Sequence, residues 1–243
     1  MENKTLIFSI ALNGYEKTWK HCLDSQKAYA NKFNYNYHLI NDVDSEMSAK
    51  EAAWLKIPLI IAALQKGFDW VVFLDADCFV NPATPAINLV EQPQKDLYVC
   101  HGYSGRINSG VLIIKNSHYA ENLFKKIFSK CNWPVFNKKY RAPYENGHVI
   151  RHASTYKRAC LLDSRWNNCQ SHFSQDFIRH YTGPMRQYYK EEVILPPKPI
   201  FLPSEIFLMA LGDVFFKNIE RKLLKICAEY GKKHSEFSIT SLI

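Results

Sequence analysis

Five apolar residues, Trp70 to Leu74, run without interruption into Asp75-Ala76-Asp77. A short continuous apolar run of this kind reads as a buried strand. Such a strand continues into Val, Ile or Leu without cost, whereas two ionised carboxylates at its end need compensation. A hard divalent cation, with the phosphates it neutralises, supplies that compensation, because Mg²⁺-type ions take carboxylates together with phosphate oxygens. Asp75 and Asp77 flank a single residue, so in an extended segment both point to the same side. A plainer alternative is a strand-terminal Asp-x-Asp that caps a turn.

The surrounding pattern fixes the class of fold. The sequence predicts strands at Leu6–Leu12, Tyr37–Ile40 and Val71–Leu74, with helices over Glu16–Phe33 and Trp54–Leu64 between them. Strands alternating with helices of this length indicate an α/β unit with a parallel sheet. Ligands of such sheets bind beyond the carboxyl ends of the strands. Asp75 and Asp77 occupy that position for the third strand, and Asn13-Gly14-Tyr15 for the first. Further strands are expected at Asp96–His101, Gly110–Lys115 and Asp176–Tyr181, and a helix at His118–Cys131. Between Asn132 and Ser171 the periodicity fades, as in loops that cover a site. Pro196-Pro197-Lys198-Pro199 reads as a linker. The expected division is therefore an α/β domain at 1–195 and a linker with a helical tail at 196–243, its helices at Ser204–Ala210 and Asp213–Tyr230.

Composition narrows the partners. The chain has 243 residues, 47% of them hydrophobic, enough for a sizeable core without disorder. The run Leu6–Leu12 is too short for a signal peptide and has no small-residue cleavage pattern. Seven cysteines occur with no Cys-x-x-Cys spacing, which argues for reduced thiols and a cytoplasmic protein. A formal charge of +8 favours anionic partners. Lys138-Lys139-Tyr140-Arg141 is too short and isolated for a nucleic-acid surface, and no nucleic-acid partner is expected. The tail helix sets Val214, Phe215, Ile219, Leu223, Ile226 and Cys227 against Lys217, Arg221, Lys222 and Lys225. Such a face packs on the domain or on a second subunit, or lies on an anionic membrane surface.

Four ordered segments carry a resemblance. They are Trp54-Leu55-Lys56 ahead of Phe73-Leu74-Asp75-Ala76-Asp77, then Asn108-Ser109-Gly110-Val111-Leu112-Ile113-Ile114-Lys115-Asn116-Ser117, then Tyr144-Glu145-Asn146-Gly147, and Asp176-Phe177-Ile178-Arg179-His180-Tyr181-Thr182-Gly183. Together they resemble nucleotide-sugar-dependent glycosyltransferases of the GT-A fold, a Rossmann-like, mostly parallel mixed sheet flanked by helices. The match is to the galactosyl- and xylosyltransferase family of fungal Golgi and plant enzymes, with glycogenin-like enzymes more distant. The resemblance covers about residues 5–190 and stops before the tail.

The resemblance implies that Asp75 and Asp77 bind Mn²⁺ or Mg²⁺ bridging the diphosphate of a sugar nucleotide, with His180 as a third ligand. Carboxylates and imidazole together with phosphate oxygens suit Mn²⁺. It implies that Asn108 and Ser109 bond donor-sugar hydroxyls, that Gly110 leaves room for the ring, and that Gly183 lets backbone N–H groups approach phosphate. Asn-Ser-Gly is also ordinary chemistry for a turn entering a strand. Tyr15 is the candidate for stacking on the base. Lys56 is placed near the donor phosphates or a metal ligand, or is a plain helix-surface lysine. Arg186 stands where these families usually carry Lys, exchanging a point charge for a bidentate fork on the leaving diphosphate. Glu145 and Asn146 fall where relatives carry an acidic residue followed by Gln, at the anomeric face of the donor sugar.

The implied reaction is retaining transfer of a hexose, galactose before glucose or xylose, from a UDP-sugar to a glycan or glycolipid acceptor. A cytosolic chain with a basic amphipathic tail suits glycan assembly at the inner membrane face, and a homo-oligomer is compatible with the tail. Two rival readings use the same residues: a metal-dependent nucleotidyltransferase or phosphohydrolase, and a non-catalytic glycan-binding relative. Residues 8–20 hold one glycine and no basic phosphate loop, which counts against a nucleotidyltransferase.

Overall fold

A computed structural model describes residues 4–172, 175–189 and 219–238. Its elements, in chain order, are β1 (Thr5–Ile10), α1 (Tyr15–Thr18), α2 (Lys20–Lys32), β2 (Asn36–Ile40), α3 (Ala49–Gln65), β3 (Trp70–Leu74), β4 (Cys78–Val80), β5 (Leu97–His101), β6 (Ile107–Lys115), α4 (His118–Phe128), α5 (Asn146–Ala153), β7 (Ala159–Leu161), β8 (Ile178–His180) and α6 (Ile219–Lys233). The six-stranded sheet has the order β2-β1-β3-β6-β5-β7, and β4 pairs with β8 in a separate ribbon. In the large sheet β1 is parallel to β2 and β3, β5 is parallel to β7, and β6 is antiparallel to both neighbours. The sheet is thus mixed and mostly parallel, flanked by helices, as the α/β reading expects.

Helix α3 explains the layering. Ser48 and Glu51 form a capping box: the Ser48 hydroxyl accepts the Glu51 N–H, and the Glu51 carboxylate accepts the Ser48 N–H. From Trp54 to Leu64 every residue is buried. A helix apolar all round has to be covered on every side. It lies on β1 and β3 and is overlaid by α4 and α6. Phe8, Val71, Phe73, Leu112 and Ile114 from the sheet meet Leu123, Phe124 and Ile127 of α4 and Leu223, Ile226 and Cys227 of α6 in one continuous core. The apolar face of α6, from Ile219 onward, is therefore packed on the domain. Lys222 and Lys233 tie the same helix to Glu51 and Asp44.

Several boundaries differ from the sequence reading. The helix expected over Glu16–Phe33 is two helices, broken at Trp19, where the backbone leaves helical geometry. The break lets the fully buried indole pack on Tyr189, ring centroids 4.5 Å apart, and lie beside Tyr181. Strand β6 starts three residues earlier than expected, so Asn108-Ser109-Gly110 is strand rather than entry turn. Helix α5 and the short strands β4 and β7 form inside stretches without legible periodicity. The expected linker at Pro196–Pro199, the helix Ser204–Ala210 and the start of the tail helix lie outside the described residues. All seven cysteines are buried thiols without a disulfide. Among the described residues no helix is long and apolar enough to cross a membrane.

Helix α5 carries an acid-sensitive pair. His148 is buried against Trp54, and its Nε2 bonds the Trp133 carbonyl at 2.8 Å, which makes Nε2 the protonated nitrogen. Its Nδ1 is buried without a partner. Burial and the nearby cations push His148 and His152 down from 6.5 to about 4. The unfolded chain therefore takes up these protons first as pH falls. The contribution of these two histidines is complete above about pH 6.5, is lost between 6.5 and 4, and is constant below, with His148 alone accounting for about 3 kcal/mol. Urea titrations at pH 7.5, 5.5 and 4.5 should follow this slope, and His148→Gln, which keeps a donor for Trp133, should flatten it.

Candidate functional site

Two antiparallel pairings assemble the site. Because β6 opposes β3, the start of β6 meets the end of β3: Leu74 pairs with Val111, and the Asp75 N–H donates to the Gly110 carbonyl at 2.8 Å. The second pairing sets Cys78 of β4 opposite His180 of β8, and the Tyr181 N–H donates to the Asp77 carbonyl at 2.9 Å. Residues about a hundred positions apart thus share one end of the sheet. Gln26, fully buried on α2, closes the turn between β3 and β4. Its Nε2 donates to the carbonyls of Asp75 at 3.1 Å and Cys78 at 2.8 Å, while its oxygen accepts from the Tyr37 hydroxyl at 3.3 Å.

His180 Nε2 lies 3.1 Å from Asp77 Oδ1 and 3.7 Å from Asp75 Oδ2. The imidazole is buried, whereas the Asp75 side chain retains 34% of its exposure and that of Asp77 19%. The carboxylates are therefore the solvent-facing side of the cluster. Asp77, Cys78 and His180 each offer one ligand atom within 4.8 Å of the others. A carboxylate and an imidazole nitrogen so placed fit a divalent ion, with the Cys78 sulfur as a soft third donor, and Asp75 Oδ2 approaches the same nitrogen from outside that group. Burial disfavours charge on His180 and Asp77, but their mutual attraction prevails, holding His180 well above its ordinary range and Asp77 below it. Burial drives the Cys78 thiol well up, so sulfur is the least available of these donors.

A second charge cluster abuts the first. Lys56, 3% exposed on α3, bonds Asp75 Oδ1 at 3.1 Å and Glu145 Oε1 at 2.9 Å, and its ammonium lies 4.3 Å from the centre of the Phe73 ring. Burial would lower the Lys56 pKa, but the two carboxylates outweigh it and hold the ammonium above its ordinary value. The Ser109 hydroxyl donates to Glu145 Oε1 at 2.7 Å, and the Ser109 N–H donates to Asn146 Oδ1 at 3.0 Å. Glu145 and Asn146 thus enter from the N-terminal end of α5, just after Tyr144, a non-glycine residue at φ 55. Left-handed backbone at a bulky residue is strained and held by its surroundings.

The remaining expected residues fall as follows. Asn108 Oδ1 accepts from the Gly110 N–H at 2.9 Å and from Asn167 Nδ2 at 3.0 Å. Gly110 is a forced glycine: a Cβ there would lie 2.2 Å from His180 Cε1 and 2.7 Å from Asp75 Oδ2. Gly183 has φ 55, and a Cβ would meet the Tyr103 ring at 2.5 Å. Arg186 sits 5.5 Å over the Trp19 ring and helps to hold Asp77 ionised. Tyr15, 40% exposed, opens α1 at the end of β1 and is an electrostatic neighbour of Tyr144. Lys56 is no surface lysine, and Ser109 is turned inward. The sequence reading missed Gln26 and Asn167. Gln26 shares the buried face of α2 with Cys22, Leu23, Tyr29 and Ala30, so a polar residue in an apolar stripe was its signal. Asn167 lies in a short turn without periodicity and gave none.

The ion pairs can be weighed. Removing one partner of a buried pair leaves an uncompensated charge and costs about 3–5 kcal/mol. Lys56→Met is expected to cost that much in urea unfolding, and adding Glu145→Gln should recover part of it. Gly110→Ala is expected to destabilise by about 1–3 kcal/mol through overpacking and to displace the His180 ring resonances in NMR spectra.

The family described as "Protein of unknown function, DUF273" matches residues 26–135, a span that holds Asp75, Asp77 and Asn108–Gly110 but not His180. No curated protein sequence matches the chain. Among solved structures, a glycosyltransferase involved in glycosylation of the major capsid of PBCV-1 superposes with a TM-score of 0.58 at 18% identity, covering 76% of this chain and 97% of that one. The glycosyltransferase GlyE of Streptococcus pneumoniae TIGR4 gives 0.51 at 12% identity, covering 99% of this chain and 66% of that one. At these identities the likeness is one of fold, and the fold is GT-A.

Proposed function

We propose that this chain is a metal-dependent, retaining glycosyltransferase that moves a hexose, galactose first among the candidates, from a UDP-sugar to a glycan or lipid-linked acceptor. The observation that carries the reading is the convergence of Asp75, Asp77 and His180 Nε2 at the carboxyl end of β3, with Lys56 and Glu145 directly alongside. In a mostly parallel α/β sheet this is where ligands bind.

Asp75, Asp77 and His180 would hold the ion, with Mn²⁺ better suited than Mg²⁺ to the imidazole. Such an ion, when bound, supplies Lewis-acid stabilisation of the departing nucleoside diphosphate. Arg186, on the rim beside Trp19, adds a guanidinium fork for the same oxygens. Gly183 lets the chain approach them closely. Tyr15 offers a half-exposed ring to the base. Ser109 is buried with its hydroxyl on Glu145, so we place it behind Glu145 and leave the donor sugar to Asn108 and Asn146.

Retention needs a carboxylate nucleophile or attack from the face of the leaving group. Among the described residues Glu145 is the carboxylate that adjoins the aspartate pair, and its Oε1 is bound by both Lys56 and Ser109. An oxygen so engaged is a poor nucleophile. We therefore favour front-face transfer: the bond from the anomeric carbon to the phosphate oxygen breaks, the acceptor oxygen takes its place, and the acceptor proton passes to the leaving phosphate. Glu145, held by Lys56, acts as a fixed negative charge near the developing oxocarbenium ion.

Incubation with UDP- and GDP-sugars plus Mn²⁺, following nucleotide release, tests the reading. Release of nucleoside diphosphate from one donor, abolished by Asp77→Ala and by EDTA, is the expected result. Pyrophosphate or nucleoside monophosphate would indicate a nucleotidyltransferase or phosphohydrolase, and inertness toward every donor a non-catalytic protein. An inverted anomer in the product would overturn the front-face route.

A further inference from the structure

The protons around His180 can be placed by following hydrogen bonds outward from a donor that admits no ambiguity. The Gly110 N–H is a backbone donor and lies 2.9 Å from the Asn108 side chain, so the Asn108 atom facing it is the oxygen. The same oxygen is 3.0 Å from the Asn167 amide. Two acceptors would repel there, so Asn167 turns its NH₂ toward Asn108. Its oxygen then faces His180 Nδ1 at 2.9 Å. An amide oxygen only accepts, and Nδ1 must therefore carry the hydrogen. Nε2 faces Asp77 Oδ1 and Asp75 Oδ2, 3.1 and 3.7 Å away, and carries a hydrogen toward Asp77; a cation bound between them would replace that hydrogen, leaving Nδ1–H and a lone pair on Nε2. The Cys169 sulfur, 3.3 Å from the Asn167 oxygen, adds a weak donor to the same acceptor.

We propose that Asn167 is a positioning residue that locks His180 in the Nδ1–H tautomer and so presents Nε2 to the Asp75–Asp77 pair as a ligand. The inference rests on the metal reading above. Asn167 is completely buried, reaches neither carboxylate, and owes its orientation to the backbone of β6 through Asn108. One chain of bonds thus links β6, the turn holding Asn167, and β8. The ring is confined on another side by Gly110, whose missing Cβ would lie 2.2 Å from His180 Cε1. A ligating imidazole commonly gives its second N–H to such an acceptor, and loss of the acceptor lowers metal affinity about 10–100-fold.

Two measurements test this on the full chain. In the first, ¹⁵N-edited NMR of the wild-type protein loaded with diamagnetic Zn²⁺ should show the His180 hydrogen on Nδ1; a hydrogen on Nε2 would overturn the inference without reference to any variant. In the second, Mn²⁺ affinity is read by electron paramagnetic resonance for the wild type and for Asn167→Leu, with melting temperature in EDTA recorded alongside. Affinity about 10–100-fold weaker in a variant that melts in EDTA like the wild type is expected. Affinity within twofold of the wild type would sink the role of Asn167 while leaving the metal reading intact. Failure of the wild type to bind either ion would overturn both.

Discussion

Three carboxylates gather at the end of β3, and the neighbourhood is organised around that concentration of charge. Asp75 and Glu145 share the ammonium of Lys56, and Asp77 faces His180. Like charges this close repel strongly in a partly desolvated setting, so the arrangement exists only because each carboxylate has a fixed partner. Lys56 is the pivot. It reaches the site from the stretch of α3 that is buried on all sides, so its position is set by the core rather than by the loops. Three carboxylates against the Lys56 ammonium leave two negative charges in excess, and the His180 ring, held protonated by Asp77, offsets one of them.

The reversed direction of β6 is the topological counterpart of this electrostatic fact. A strand parallel to β3 would bring its own carboxyl end to the site, and its entry residues would lie on the far side of the sheet. An antiparallel β6 delivers its first residues instead. Asn108, Ser109 and Gly110 then supply, within three positions, an acceptor for Asn167, a donor for Glu145 and a gap for the His180 ring. The motif reads as turn chemistry in the sequence because its small polar residues are those that turns use. In the fold they are strand residues whose smallness serves close packing around an imidazole.

How legible each part was follows from how local its cause is. The strand β3 and its terminal aspartates announce themselves through a contiguous apolar run, and α3 through the apolar stretch Trp54–Leu64, although its start at Ala49 behind the Ser48–Glu51 cap was not read. Strand β8 falls within the expected Asp176–Tyr181, whereas its three-residue partner β4 has no local periodicity to mark it and is defined by that pairing. His180 could be assigned a role only through the resemblance, since a lone histidine carries no spacing signal. The inward turn of Ser109 and the closing bonds of Gln26 depend on partners 36 and 49 or more positions away. The break at Trp19 reflects tertiary packing overriding helix propensity, because continuing the helix would withdraw the indole from Tyr181 and Tyr189.

The two halves of the site differ in what fixes them, and that difference bears on the chemistry. Lys56, Glu145 and Ser109 are all at or below 4% exposure, with Lys56 bridging Glu145 and Asp75 and Ser109 bonding Glu145 and Asn146, so this half is fixed by the protein itself. Asp75 and Asp77 keep a share of their surface open while His180 behind them does not. A preorganised negative charge on the closed side and open ligands on the other separate two tasks that a single carboxylate pair would confuse. In the reaction we propose, one half stabilises positive charge developing at carbon, and the other receives the phosphate that leaves. Catalysis by fixed charges gains most when reorganisation is completed during folding. The buried Lys56–Glu145 pair, held by α3, α5 and β6 together, is the part of this molecule in which folding has done so.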